Sequence, residues 1–106
     1  MLEKIVALPA FRDVAMRLHD LITLSAPHLE PRLWYGMPGY APSKRSPVIV
    51  FFRVDDDRYV TLGLTEKANL VRGDGPDQLI ESAWFLTDLD EATEERIARI
   101  VSTAAA

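Results

Sequence analysis

Apolar residues recur at intervals of three and four in the first quarter of the chain. This spacing places them on one face of an α-helix. Pro9 suits the first helical turn, and Pro27 disfavours the helical conformation at Ala26. The pattern therefore predicts an amphipathic helix over residues 9–25. Its apolar face consists of Phe11, Val14, Ala15, Leu18, Leu21 and Ile22.

The C-terminal part of the chain has the same helical period. Its apolar stripe consists of Ile97, Ile100, Val101 and Ala104. Thr87, Asp88 or Asp90 can cap the start of this helix, because their side-chain oxygens accept hydrogen bonds from free backbone N–H groups. Acidic residues follow in the first turn or so, where the helix dipole favours negative charge. We therefore predict a second helix that ends the chain.

Between the two helices the apolar period shortens to two, which is typical of β-strands. Residues 32–37 predict a short strand, with Leu33, Tyr35 and Met37 on one face and Trp34 and Gly36 on the other. Pro38-Gly39 is expected to end it, and residues 40–47 have the composition of an exposed loop.

The strongest strand signal is the β-branched and aromatic run at residues 48–54. Residues 55–58 follow as a polar turn, and residues 59–64 alternate again, so the two strands form a hairpin. Residues 66–82 contain Gly73, Gly75 and Pro76 and predict an irregular crossover, before a last short strand at residues 84–87. The element order α-β-β-β-β-α predicts an α+β fold: an antiparallel sheet of three to four strands with both helices on one face.

Length and composition exclude several classes of protein. A chain of 106 residues predicts a single domain, residues 1–106. The absence of cysteine excludes disulfides and thiolate metal sites. The net charge is −4 and the basic residues are scattered, which disfavours nucleic acid and anionic membranes as partners. Charged residues interrupt the first 25 positions, so we expect a soluble, uncleaved, cytoplasmic protein.

No motif in the chain predicts catalysis. His19 and His28 are not spaced as paired metal ligands on a helix, and no serine lies in a nucleophile elbow. Residues 55–57 lack the glycine and the distal glutamate of a calcium loop. We therefore expect a protein that is not an enzyme.

An acidic group around the start of the last helix has two interpretations. Its members are Asp88, Asp90, Glu91, Glu94 and Glu95. Their carboxylates could hold a hard cation weakly. Alternatively, they cap the helix and complement its dipole.

The segment from Trp34 to Tyr40 is the strongest candidate for a binding site. Its candidate residues are Trp34, Tyr35, Gly36, Met37, Pro38 and Tyr40. Three aromatic rings, a thioether and a glycine within seven positions could line a groove for a small molecule or a peptide. The alternative is that Trp34 or Tyr35 packs beneath the first helix while Tyr40 covers a turn.

The chain also resembles a known family. A helix closing in Ala26-Pro27, the Trp34–Tyr40 segment, a Val/Phe-rich strand, the Leu-Gly-Leu strand at residues 62–64 and the acidic segment at residues 86–90 are similar to the YdhG-like domain of unknown function. The resemblance covers residues 11–104. It implies a frataxin-like α+β fold and, as for some members, a role as an intracellular iron chaperone with an iron-cluster assembly partner. Weakly bound iron would then be held by the acidic group.

The sequence leaves the oligomeric state open between monomer and homodimer. If both helices cover one face of the sheet, the other face meets water or a partner. A second copy could pack against the open sheet face around Tyr59, Thr61 and Gly63.

Overall fold

The computed structural model describes residues 2–55 and 57–106, in which three helices and five strands follow one another. Their bounds are α1 Leu2–Val6, α2 Arg12–Ser25, β1 Glu30–Trp34, β2 Met37–Ala41, β3 Val50–Asp55, β4 Tyr59–Leu64, β5 Ala83–Leu86 and α3 Glu91–Ala104. Among these residues no helix is both long enough and apolar enough to cross a membrane. The predicted α+β class is confirmed.

The sheet is a five-stranded antiparallel meander in the order β1-β2-β3-β4-β5. The prediction of three to four strands was therefore too low. The predicted hairpin is confirmed as β3 and β4, although Asp56 of its turn lies outside the described residues. Residues 65–82 contain no helix or strand, and they lead from β4 back to its neighbour β5, so the predicted crossover does not cross another strand.

Both long helices cover the same face of the sheet. Leu18 and Ile22 of α2 and Val101 of α3 belong to one buried cluster with side chains from the central strands. The strand members are Val50, Phe52, Val60 and Leu62, which alternate in sequence and therefore share one face. We call this helix-covered side the inner face and the opposite side the outer face.

The predicted strand over residues 32–37 is wrong because a tight turn divides it. Tyr35 and Gly36 both have positive φ, 51° and 76°, and Trp34 pairs with Met37 across them. This is the backbone of a two-residue hairpin turn of the primed type, in which glycine is favoured. β1 therefore ends at Trp34, and β2 begins at Met37.

The predicted stop at Pro38-Gly39 and the loop from residue 40 are also wrong at their start, since Pro38, Gly39, Tyr40 and Ala41 lie in β2 and are buried. Pro38 is tolerated in β2 because it has no paired residue on β3 to which an N–H would have to donate. The β2–β3 ladder contains only the pairs of Gly39 and Tyr40. Gly39 allows close packing, because a Cβ there would lie 2.9 Å from the Cβ of Trp34.

The N-terminal region also differs from the prediction. The helix expected from residue 9 begins only at Arg12, because Phe11 adopts a left-handed conformation with φ 56°. The short helix α1 was not predicted, yet its Ile5 is fully buried in the core. At the other end of the chain Asp90 caps α3 by accepting a hydrogen bond from the Thr93 N–H over 2.8 Å.

Candidate functional site

The rings of the Trp34–Tyr40 segment do not line a common groove. Trp34 lies on the outer face, with its ring centroid 5.1 Å from that of Phe51. Tyr35 is at the hairpin turn and is 85% exposed. Tyr40 points the other way and is fully buried in the core. The rings of Trp34 and Tyr35 contact each other edge to face, with centroids 5.0 Å apart. Strand alternation separates both of them from Tyr40.

The remaining residues of the segment border a small cavity. Gly36, Met37 and Pro38 line it together with α1, and its volume is about 200 Å³. Phe52 forms part of the wall, and Lys4 and Arg53 supply positive charge. This volume is below the range of about 300–1,000 Å³ that is usual for ligand pockets.

Tyr40 is held by a polar contact with a half-buried histidine at the edge of the core. Its hydroxyl shares a hydrogen bond of 2.8 Å with Nδ1 of His19 on α2. Burial raises the pKa of the Tyr40 hydroxyl far above its usual range. Burial also lowers the pKa of His19, partly offset by the nearby Asp20 carboxylate. The pair therefore stays neutral at neutral pH and links α2 to β2.

The acidic group at the start of α3 is spread over different contacts. Asp90 caps the helix, and its hydrogen bonds with Thr93 lower the pKa of its carboxyl. Glu94 accepts a hydrogen bond from Arg17 of α2 over 2.6 Å, which lowers the pKa of Glu94. Asp88 accepts from the Leu89 N–H, and Glu91 and Glu95 are exposed. Over residues 2–55 and 57–106 no three His, Cys, Asp or Glu side chains are grouped as metal ligands. Iron binding stays a prediction.

A larger opening lies between β5 and α3. It has two adjoining lobes of about 400 Å³ and about 370 Å³, which share Trp84, Arg96 and Ile100. We call this opening the Trp84 cleft. Its apolar walls consist of Leu62, Leu64, Trp84, Leu86, Ile97 and Ile100. The irregular segment before β5 contributes Asn69, Val71, Gly73 and Glu81 to the larger lobe.

The local structure explains how each wall forms. Trp84 and Leu86 alternate with exposed Phe85 along β5, so they face inward towards α3. Asn69 fixes the irregular segment to the end of α3. Its backbone N–H donates to the Ala104 carbonyl over 2.9 Å, and its side-chain Nδ2 donates to the Thr103 backbone carbonyl over 3.1 Å. The cleft is therefore bounded by a strand, a helix and a tethered segment.

Charge in the Trp84 cleft is positive at its larger lobe. Arg96 and Arg99 both line this lobe, whereas Glu81 is the only acidic residue among the described residues that line it. Glu81 accepts a hydrogen bond from the Trp84 indole N–H over 3.0 Å and one from Arg96 over 3.4 Å. In the described part of the chain no carboxylate lies within 4.0 Å of the Arg99 guanidinium. The lobe can therefore accept a further anion.

Sequence reasoning assigned Trp84 only to the last strand and missed the cleft. The cleft joins residues from β4, the irregular segment, β5 and α3, and no local motif marks it. The available signal was a tryptophan at an inward position of an edge strand, followed in the chain by an amphipathic helix with two arginines.

Comparison of the chain with protein-family models, curated proteins and solved structures found no match.

Proposed function

We propose that this chain is a non-enzymatic binding protein whose Trp84 cleft holds an apolar ligand with one anionic group. The observation that supports this most directly is the pairing of an apolar cleft with two arginines, one of which has no carboxylate partner among the described residues. Ligand sites are usually concave and mainly apolar, with a few polar groups that fix orientation. The Trp84 cleft has each of these properties.

The contacts of Glu81 suggest where the ligand's anionic group lies. The Glu81 carboxylate accepts from both the Trp84 indole and Arg96. Its side chain is 70% exposed, so it can leave these donors at low cost. A ligand carboxylate can replace it there and also reach Arg99, and charge-assisted hydrogen bonds to arginine favour such anions.

The test uses the fluorescence of a single tryptophan. Trp34→Phe keeps an aromatic ring beside Phe51 and leaves Trp84 as the only indole in the chain. In this background we expect 4-phenylbutyrate to change the Trp84 emission saturably, and the neutral 4-phenylbutyramide to bind about tenfold more weakly because it lacks the charge. Arg99→Gln should weaken the binding of 4-phenylbutyrate to a similar extent.

Arg45→Gln is the matched control, because Arg45 lies in the exposed segment between β2 and β3, outside the cleft. Glu81→Gln removes the competing charge and should tighten binding of the acid. The proposal is wrong if the acid and the amide bind with equal affinity. It is also wrong if Arg45→Gln weakens the binding of the acid as much as Arg99→Gln does.

A further inference from the structure

The outer edge of β5 is open. β5 is the last strand of the sheet, with β4 on one side and no strand on the other among residues 2–55 and 57–106. The strand is short, and Phe85 on it is 68% exposed. An edge of this kind presents backbone N–H and C=O groups that can pair with another extended segment.

The ladder between β4 and β5 determines which backbone groups point outward. The Leu64 N–H donates to the Ser82 carbonyl over 2.7 Å. In an antiparallel pair such bonding positions alternate, so Trp84 and Leu86 are the next residues bonded to β4. The N–H and C=O groups of Ala83 and Phe85 therefore point to the open edge.

The Trp84 cleft lies beside this edge. Trp84 and Leu86 of β5 form one wall of the cleft, and Ile97 and Ile100 of α3 form the other. A strand added to β5 would lie about 4.8 Å from it, and every second side chain would share the face of Trp84 and Leu86. Those side chains would enter the cleft beneath α3.

From this arrangement we propose that the ligand of the Trp84 cleft is an extended peptide that adds to β5 as a sixth strand. The proposal rests on the proposed function, since it names the class of ligand for the same site. The bound peptide has apolar side chains at alternate positions, which fill the cleft, and an acidic side chain near Ala83. Strand addition next to a helix uses backbone hydrogen bonds for affinity and side-chain pockets for specificity.

Charge gives the peptide its acidic position. Arg96 and Arg99 line the larger lobe against the single carboxylate of Glu81, whereas the smaller lobe combines Arg96 with Asp88. An acidic side chain is therefore favoured at the larger lobe and not at the Asp88 end. A second copy of the chain is a poorer occupant, because two-fold pairing of β5 with itself would bring two α3 helices side by side with their arginines together.

The test uses a capped heptapeptide, acetyl-Val-Thr-Val-Thr-Val-Thr-Glu-amide, in three forms: unmodified, N-methylated at the threonines and N-methylated at the valines. With the valines filling the cleft, the threonines lie opposite Ala83 and Phe85 on the outer face. The threonine N–H groups then point at β5, and the valine N–H groups point at solvent. We expect threonine methylation to weaken binding about tenfold or more and valine methylation to be tolerated.

Amide hydrogen exchange gives an independent readout on the unmodified protein. The unmodified peptide should slow exchange at Ala83 and Phe85, whereas 4-phenylbutyrate should not. Ala83→Pro removes one outward N–H, so it should weaken the peptide and leave 4-phenylbutyrate binding unchanged.

Equal effects of the two methylations, or no added protection at Ala83 and Phe85, would overturn the peptide assignment. If 4-phenylbutyrate still binds in that case, the proposed function stands without it; if neither compound binds, both proposals fail. Protection of Ala83 and Phe85 that rises with protein concentration in the absence of peptide would identify a second copy as the occupant and also overturn the assignment.

Discussion

At the residue scale, the contact between His19 and Tyr40 shows how a buried hydroxyl can find a partner at the edge of an apolar core. Tyr40 is fully buried, so its hydroxyl needs a partner to avoid the cost of an unpaired polar group. His19 supplies that partner at 2.8 Å. Among the described residues no buried side-chain nitrogen or oxygen lacks a hydrogen bond. The buried polar side chains of these residues therefore all have hydrogen-bond partners.

The lowered pKa of His19 predicts a pH dependence of stability. Above the usual value of 6.5 the histidine is neutral in both the folded and the unfolded chain, so it contributes no slope. Below 6.5 the unfolded chain binds a proton before the folded chain does, and the free energy of unfolding falls as the pH falls towards the folded pKa. The slope from this group is at most about 1.4 kcal/mol per pH unit.

Urea unfolding between pH 7.5 and pH 5 measures this slope, and His19→Gln should remove it while still offering a hydrogen-bond partner to Tyr40. The carboxyls of Asp90 and Glu94 have lowered pKa values, so their contributions to the free energy of unfolding are lost only at more acidic pH. An unchanged slope in His19→Gln would show that another group is responsible.

Gly63 is a second example at the residue scale, because it packs closely against an aromatic ring. The ring of Phe51 lies directly over Gly63 on the outer face, and a Cβ at this position would collide with the ring. Phe51 in turn contacts Trp34. The glycine of the Leu-Gly-Leu strand thus has a packing role, which its sequence pattern alone did not indicate.

At the element scale, the sequence predicts those elements whose period is long and uniform. α2, the hairpin of β3 and β4, and α3 follow from their apolar periods, because each element has one face in the same core. β1 and β2 were merged, because Tyr35 carries a positive φ that non-glycine residues seldom adopt. Helix α1 was missed because five residues are too few to show a period.

The start of α3 predicts a difference between two substitutions of one residue. Asp90→Ala removes the oxygen that accepts from Thr93 N–H and should lower the melting temperature by a few degrees. Asp90→Asn retains a capping oxygen and should lower it less. Thermal unfolding followed by circular dichroism measures both effects, with Glu91→Gln as a control in the same turn.

The same variants separate capping from metal binding. If the carboxylate of Asp90 holds ferrous iron, Asp90→Asn should reduce the heat of an anaerobic iron titration while the helix stays capped. If capping is its whole role, the titration of Asp90→Asn matches that of the unmodified protein. A larger loss of stability in Asp90→Asn than in Asp90→Ala would contradict the capping role.

At the scale of the whole molecule, the sequence predicted the layers better than the site. The layers depend on local periods, which a single chain displays. The Trp84 cleft depends on side chains from β4, β5 and α3 whose proximity follows only from the folded topology. The Trp34–Tyr40 segment attracted attention because its rings are adjacent in sequence, but strand alternation sends Trp34 and Tyr40 to opposite faces.

The outer face predicts the oligomeric state. Thr61 at its centre is buried and donates to the Asp55 carboxylate over 2.7 Å, and Arg53 pairs with the same carboxylate group over 2.8 Å. Phe51 covers Gly63, and the rings of Tyr59 and Phe85 pack together at 4.5 Å. Most of the face is therefore closed by its own side chains, and scattered exposed apolar residues are normal on a monomer.

We accordingly expect light scattering to give the mass of one chain, 11.9 kDa, at both a low and a high protein concentration. A standard dimer interface buries about 800 Å² on each partner, and a face whose centre is already packed has little free apolar area to contribute. A mass that rises with concentration would favour the homodimer. In that case Phe85→Ser should return the protein to the single-chain mass, because the Phe85 ring on that face is 68% exposed, whereas Leu24→Ser, a change at an exposed position of α2, should not.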